Sequence, residues 1–99
     1  MIFRIAEFTV KRERVDAAVA AIQGFVAAVA GEDGTLSYGS YRKPDGVSFV
    51  HTMVFSDEDG ELAHRGSEHA RAFHAALGPL CVAHGEPRFT TLEEIATSR

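Results

Sequence analysis

The sequence has a single cysteine and no long apolar run, and each shortage excludes a class of protein. Cys81 has no partner in the chain for an internal disulfide, so we expect it to be a buried, inert thiol. No segment approaches the roughly 20 consecutive apolar residues of a membrane-spanning helix, so we expect no membrane insertion. The first ten residues do not resemble a secretion signal, which predicts a cytoplasmic protein.

Clustered positive charge is also missing. The formal net charge is −4, and residues of both signs are scattered along the chain. Because phosphate binding needs a basic run or patch, we expect no nucleic-acid partner. The phosphate-binding loop, the dinucleotide fingerprint, the Cys-x-x-Cys pair and the Gly-x-Ser-x-Gly elbow are all absent, so none of these motifs assigns a function.

What the chain does contain is the pattern of one small α+β domain over residues 1–99, with 45% apolar residues. Alternating or apolar runs bounded by turn residues predict four strands. These strands are expected at residues 2–10, 35–43, 47–56 and 87–94. Helical patterns predict one helix over 12–30 and a second helical region over 57–77. A break is expected near Gly66-Ser67, since Ser67 suits a helix N-cap.

Both helical regions carry an apolar stripe at helical spacing. In the first region the stripe is Val15, Val19, Ile22, Val26 and Val29. In the second region the expected buried face is Ala70, Phe73, His74 and Leu77. We expect Gly78-Pro79 to end the second helix.

The order β-α-β-β-α-β predicts a ferredoxin-like fold, a four-stranded antiparallel sheet with both helices on one face. The third strand is apolar on both of its faces. One face carries Phe49, His51, Met53 and Phe55, and the other carries Val50, Thr52 and Val54. Because one layer of helices covers only one face, we expect a second subunit to cover the other, giving a homodimer.

Five histidines are the best candidates for chemistry: His51, His64, His69, His74 and His84. Three lie five residues apart in the second helical region, a spacing that rotates each by about 140° and would not aim them at one metal in an unbroken helix. We therefore expect no metal site. The break near Gly66 lets His64 and His69 meet at the mouth of a cavity between helix and sheet.

Two interpretations of these histidines remain open. If the parity of His51 faces the helices, an apolar pocket contains several imidazoles, which suits general acid–base chemistry. Alternatively, His51 and His74 are core residues that bond to the backbone, and His64 and His69 are partly solvated. Arg4 either binds a substrate anion or pairs with a carboxylate across the dimer, and we favour the ion pair.

Residues 34–77 resemble the antibiotic biosynthesis monooxygenase-like family of the dimeric α/β-barrel superfamily. The resemblance lies in Gly34-Thr35-Leu36-Ser37-Tyr38, in Phe49-Val50-His51 and in Ala63-His64-Arg65-Gly66-Ser67-Glu68-His69, with Phe73 four residues further on. The segment Phe89-Thr90-Thr91-Leu92 also fits. The resemblance implies a ferredoxin-like half that pairs as a dimeric α/β barrel.

It further implies a monooxygenase that oxidises a small aromatic, phenolic or quinol substrate with dioxygen and needs no cofactor. By this resemblance His64 and His69 supply the base and the hydrogen-bond donor, and His51 assists. Phe49, Met53, Phe73 and His74 would form the pocket walls.

Other activities of relatives leave alternatives open. Some isomerise small carbonyl metabolites with a histidine pair, and a dimer that binds a small molecule without catalysis is a third interpretation. A haem-degrading branch has a helical histidine at the place of His74, but it also relies on a tryptophan, which this sequence lacks. Haem degradation is therefore not expected.

Overall fold

The computed structural model describes residues 1–98 and places four strands of that range in one antiparallel sheet. The strands are β1 (Ile2–Thr9), β2 (Thr35–Arg42), β3 (Ser48–Phe55) and β4 (Arg88–Leu92), in the spatial order β2-β3-β1-β4. The helices are α1 (Val15–Val29), α2 (Glu58–Arg65) and α3 (Glu68–Leu77). This arrangement confirms the predicted ferredoxin-like α+β fold.

The two central strands, β1 and β3, define which sheet face meets the helices. They pair antiparallel, with Ala6 opposite His51 and Phe8 opposite Phe49. The side chains of this face are buried on both strands: Ala6, Phe8, Phe49, His51, Met53 and Phe55. His51 therefore faces the helices, which is the condition of the acid–base interpretation.

The buried face of α1 differs from the predicted valine stripe. Ala18, Ile22, Phe25 and Val29 are buried, whereas Val15, Val19 and Val26 are only partly buried at the border of the core. The reason is Phe25, whose ring stacks on Phe73 of α3 with centroids 4.4 Å apart. An aromatic ring buries more apolar area than a valine, so it determines which way the helix faces.

Local capping explains the break between α2 and α3. The Asp57 carboxylate accepts a hydrogen bond from the Gly60 N–H at 2.8 Å, which begins α2. The Ser67 hydroxyl accepts one from the Ala70 N–H at 3.2 Å, which begins α3. These caps satisfy N–H groups that have no partner inside the helix. The break was predicted at this position.

The end of α3 and the last strand differ in detail from the prediction. Gly78-Pro79 ends the α-helix, but the chain continues through Leu80 as a single 3-10 turn, in which proline is tolerated near the start. β4 is shorter than predicted, five residues instead of eight. Cys81 is buried, as expected.

Two glycines allow α2 to approach the turn before β2 very closely. A Cβ atom at Gly34 would lie 2.5 Å from the Gly60 Cα, and one at Gly60 would lie 2.6 Å from the Gly34 carbonyl oxygen. Either distance is shorter than a van der Waals contact, so a side chain at either position would push the helix away. The approach brings His64 of α2 close to Glu32.

The sheet face opposite the helices carries a row of apolar side chains. Phe3 and Ile5 of β1 lie beside Val54 and Thr52 of β3, and Leu92 of β4 pairs with Phe3. Leu92 is 44% exposed. No helix within residues 1–98 is long and apolar enough to cross a membrane.

Candidate functional site

A cavity of about 320 Å³ lies between the sheet and α2 and α3. Its apolar wall consists of Met53, Phe55, Ala70 and Phe89. Its polar wall consists of Arg4, Glu61, His64, Arg65 and His74. A mainly apolar space with a few polar groups is the usual form of a small-molecule site, and this volume is at the lower end of the range for such sites.

A narrow recess of about 20 Å³ leads from this cavity towards the core. The recess and the cavity share His64, His74 and Phe89 in their walls, so the two spaces adjoin. Tyr38, His51 and Phe73 line the recess but not the cavity. Its volume is about that of one small molecule such as water.

Glu32, in the turn after α1, joins two of the predicted histidines. Its Oε1 atom accepts a hydrogen bond from Nδ1 of His64 at 2.8 Å and from the Thr35 hydroxyl at 2.6 Å. Its Oε2 atom accepts a hydrogen bond from Nε2 of His69. One carboxylate thus fixes the orientation of both imidazoles.

The charge state of Glu32 determines which nitrogen of each ring carries hydrogen. Burial alone would raise the pKa of Glu32, but hydrogen bonds from Thr35, His69 and His64 outweigh it, and the pKa lies below its ordinary value of 4.5. An ionised carboxylate is only an acceptor, so both imidazoles donate to it. In its neutral form His64 then keeps its hydrogen on Nδ1 and has Nε2 free to accept a proton.

His51 and Tyr38 form a second polar pair, at the recess. The Tyr38 hydroxyl and Nδ1 of His51 share a hydrogen bond of 2.7 Å. His51 is only 1% exposed, and burial, together with the charge of His74, lowers the pKa of His51 to about 4. Burial and the charge of Glu32 raise the pKa of Tyr38. Both groups are therefore neutral near pH 7.

The remaining nitrogen of His51 is unsatisfied. Within the described residues 1–98, the Nε2 atom of His51 is buried and has no hydrogen-bond partner. In the tautomer in which the Tyr38 hydroxyl donates to Nδ1, the hydrogen of the neutral His51 ring lies on Nε2. The recess therefore contains a ring nitrogen that has no hydrogen-bond partner among the described residues, and in this tautomer the nitrogen is a donor.

Arg4 and Glu61 form an ion pair in the wall of the cavity. The Nη1 atom of Arg4 lies 3.0 Å from Oε2 of Glu61, and both side chains are 18% exposed. The guanidinium also lies over the Phe89 ring, 5.1 Å from its centroid. We expected an ion pair across a dimer, but the partner of Arg4 lies in the same chain, in the first turn of α2.

The structure brings most of the predicted site residues to one space. His51, His64, Met53, Phe73 and His74 all line the cavity or its recess. His74 differs from expectation in being exposed rather than part of the buried face of α3. The neighbouring residue Phe73 is the one whose ring is buried in the core.

Two predicted residues lie elsewhere. Phe49 stacks on Phe8 with centroids 5.4 Å apart and lines an open groove of about 540 Å³ between α1 and β2. Phe49 lies near one end of β3 and Met53 near the other, so Phe49 does not line the cavity that contains His64. His69 is 31% exposed and does not line the cavity; it lines a shallow depression between α1 and α3.

Four residues of the site were not assigned to it from the sequence: Glu32, Tyr38, Arg4 and Phe89. Glu32 resembled an ordinary residue of a helix-ending turn, and it lies 32 residues before His64. The sequence places Glu32 two residues before Gly34. This position indicates a role in the site only once it is known that α2 packs against that turn. No group of three residues suited to hold a metal ion occurs within residues 1–98.

Comparisons with known proteins support the family and the fold. The family model described as antibiotic biosynthesis monooxygenase matches residues 1–76. The solved structure of Rv0793 from Mycobacterium tuberculosis is similar to this chain, with 24% identity, a TM-score of 0.88 and coverage of 99% of this chain and 98% of that chain.

Two further solved structures are similar in fold. One is described as an antibiotic biosynthesis monooxygenase, with 16% identity, a TM-score of 0.89 and coverage of 97% and 100% of the two chains. The other is a conserved protein from Methanosarcina mazei Go1, with 19% identity, a TM-score of 0.85 and coverage of 94% and 91%. No curated protein matches the chain at a significant level.

Proposed function

Because the chain belongs to the antibiotic biosynthesis monooxygenase family, we propose that it is a cofactor-independent monooxygenase. Its substrate would be a small aromatic phenol or quinol, and dioxygen would be the oxidant. The observation that supports the proposal is His64, an imidazole oriented by the ionised Glu32 in the wall of a mainly apolar cavity. A carboxylate that holds one imidazole nitrogen leaves the other as a directed base.

His64 removes the proton of the substrate hydroxyl in this proposal. Its Nε2 atom accepts the proton, and Glu32 stabilises the imidazolium that forms. His51 is the hydrogen-bond donor to the oxygen anion, through the Nε2 hydrogen that has no other acceptor within the described residues. His69 has a positioning role, since it holds the second oxygen of Glu32.

The oxygenation that follows needs only the substrate anion and dioxygen. The anion passes one electron to dioxygen, and the two resulting radicals combine at a ring carbon to form a peroxide. Loss of water from the peroxide leaves a carbonyl on that carbon. The substrate thus gains one oxygen atom and loses two hydrogens, and the second oxygen atom leaves as water. The apolar wall favours this path because it keeps bulk water from the anion.

Oxygen uptake with a panel of hydroquinones tests the proposal. Turnover by the wild type should fall by about 100-fold or more in His64→Ala, the usual range for loss of a general base. His84→Asn is the matched control, because His84 is an exposed loop histidine at positive φ, where asparagine is well tolerated. Absence of turnover with every hydroquinone, or equal rates in wild type and His64→Ala, would exclude the proposed reaction.

A proton-transfer isomerase of a small carbonyl metabolite is the second candidate. It is favoured by one observation, that His51 and His64 line the same narrow recess and could give and take a proton on opposite sides of a substrate. The two functions differ in their need for dioxygen. Product formation under argon would support the isomerase, and ligand binding without any product would support a binding protein.

We also propose that the protein is a homodimer in which the open sheet faces pack on each other. Phe3, Ile5, Val54 and Leu92 form the apolar centre of that face. An apolar sheet face of this kind is usually buried, and a two-fold axis lets one face cover its own copy. The cavity lies on the other side of the sheet, so the interface supports the fold without closing the site.

A further inference from the structure

Two buried side-chain nitrogens within residues 1–98 have no hydrogen-bond partner: Nε of Arg4 and Nε2 of His51. Buried polar groups are nearly always bonded, and an unsatisfied one costs stability. Arg4 lines the cavity and His51 lines its recess. A ligand with a polar group at each end could satisfy both nitrogens at once.

The spacing of these two residues limits the size of such a ligand. Arg4 pairs with Met53 across the sheet, and Ala6 pairs with His51, so Arg4 and His51 are diagonal neighbours on the face towards the helices. The Cα atoms of diagonal neighbours lie about 7–8 Å apart, and these two side chains line the adjoining cavity and recess. The space around them is apolar, with Met53 and Phe89 in the wall. A single aromatic ring that carries two polar substituents fits within the cavity of about 320 Å³.

The charges around the cavity indicate the nature of each end. The Nη1 atom of Arg4 forms an ion pair with Glu61. The guanidinium of Arg65 forms no ion pair within residues 1–98. With two arginines and one glutamate, the wall carries one excess positive charge, which favours an anion. The Nε2 atom of His51 is neutral and suits a hydroxyl, since a hydroxyl can both donate and accept.

We propose that the substrate is a hydroxyaryl carboxylate, with its carboxylate on Arg4 and its ring hydroxyl on Nε2 of His51. The proposal rests on the proposed function, because the hydroxyl is the group that the monooxygenase would deprotonate. Arg4 would be a specificity-determining residue, and Glu61 would hold it in place while weakening its attraction for the anion. The Phe89 ring would lie beside the substrate ring.

Calorimetric titration without oxygen tests the ligand class apart from turnover. The probes are 4-hydroxybenzoate, benzoate, which lacks the hydroxyl, and phenol, which lacks the carboxylate. We expect wild type to bind 4-hydroxybenzoate about 10-fold tighter than either, since each end group adds a buried hydrogen bond. Equal affinity for phenol and 4-hydroxybenzoate would overturn the assignment of the anion to Arg4.

Variants assign each end to its residue. Arg4→Gln should weaken 4-hydroxybenzoate about 10-fold and leave phenol within about 2-fold. His51→Phe should abolish the preference for 4-hydroxybenzoate over benzoate. Glu61→Gln should tighten 4-hydroxybenzoate, because it removes a negative charge and keeps the arginine. If the Arg4–Glu61 ion pair only stabilises the fold, Glu61→Gln should instead weaken the binding of 4-hydroxybenzoate. That result would contradict the proposal.

Oxygen uptake with 2,5-dihydroxybenzoate and with hydroquinone separates the two proposals. If the titrations agree with expectation and neither compound is oxidised, the ligand class stands and the monooxygenase fails. If hydroquinone is oxidised as fast as 2,5-dihydroxybenzoate, and Arg4→Gln changes neither rate, the monooxygenase stands and the ligand class is wrong. Circular dichroism and melting curves confirm that each variant is folded.

Discussion

At the scale of single residues, Glu32 is the group on which the proposed chemistry most depends. It accepts hydrogen bonds from His64, His69 and Thr35, so its two oxygens orient two imidazoles. A carboxylate can accept from both rings, whereas the amide of glutamine has one acceptor and one donor. The neutral isostere would therefore leave one ring without its partner.

We expect Glu32→Gln to lower kcat/KM for quinol oxidation by about 10- to 100-fold, a loss typical of residues that orient a catalytic group. Asp33→Asn is the control, since it removes the adjacent, exposed carboxylate. Steady-state oxygen uptake measures both variants. An equal loss in the two would show that general charge, and not the contact with His64, is responsible.

His51 should make the stability of the protein depend on pH. Its pKa in the folded chain is about 4, against an ordinary value of 6.5, so the unfolded chain binds more protons between these values. The stability from neutral His51 is complete above pH 6.5 and is lost as the pH falls towards 4, by up to about 3 kcal/mol.

Urea unfolding between pH 7 and 4 measures this dependence. The free energy of unfolding should fall less steeply with acid in His51→Phe than in wild type, because the variant lacks the titrating ring. The two proteins differ only at His51, so the difference between the two slopes reports on this ring. Parallel slopes would mean that His51 does not stay neutral in the folded protein.

The sequence revealed part of this site. The spacing of His64 and His69 around Gly66 predicted that the two would approach each other, since the capping by Ser67 is a local effect. Glu32 was not predicted, because its contact with His64 depends on how α2 packs against a turn 32 residues earlier. Phe49 was assigned to the cavity through the family resemblance, and its strand parity gives the face of the sheet but not the position along it.

At the scale of elements, the contact between Gly34 and Gly60 determines where α2 lies. A methyl group at Gly60 would meet the Gly34 carbonyl oxygen and the Ser56 hydroxyl, at 2.6 and 3.1 Å. Gly24, in the middle of α1, has nothing within 4 Å of such a methyl. The two glycines therefore provide a matched pair of substitutions.

Gly60→Ala should destabilise the protein by about 1–3 kcal/mol, because it overpacks the contact that holds α2. Gly24→Ala should stabilise it by up to about 1 kcal/mol, because alanine is the better helix former. Thermal unfolding of both variants measures the difference. Stabilisation by both would show that α2 can shift at little cost and that the close approach is not a constraint.

The elements themselves were predictable to different degrees. The four strands and the break between α2 and α3 follow from local residue preferences, and they occur where the pattern predicted, although β4 is shorter. Local preferences do not determine which side of α1 is buried. Phe25 lies outside the valine stripe, and it is buried because its ring stacks on Phe73. Tertiary contacts decide between two apolar stripes on one helix.

At the scale of the whole molecule, the open sheet face predicts how the chain assembles. Ile5 lies near the centre of this face, between Thr52 of β3 and Thr90 of β4. Ile5→Glu would place a charge in the proposed interface, and burying an unpaired charge is strongly unfavourable. Ala75→Glu places the same charge on the exposed side of α3.

Sedimentation measurements should give a dimer for wild type and for Ala75→Glu, and a monomer or an unfolded chain for Ile5→Glu. Circular dichroism distinguishes the last two outcomes. A wild-type monomer over the micromolar range, or a dimer that persists in Ile5→Glu, would contradict the proposed interface.

The central claim is that one atom of dioxygen enters a small aromatic substrate at the cavity of His64. Mass spectrometry of the product formed under labelled dioxygen measures this most directly. We predict one labelled oxygen in each product molecule formed by wild type, the loss of nearly all product in His64→Ala, and no product without dioxygen. A product that forms under argon, or that carries no label, would contradict the account.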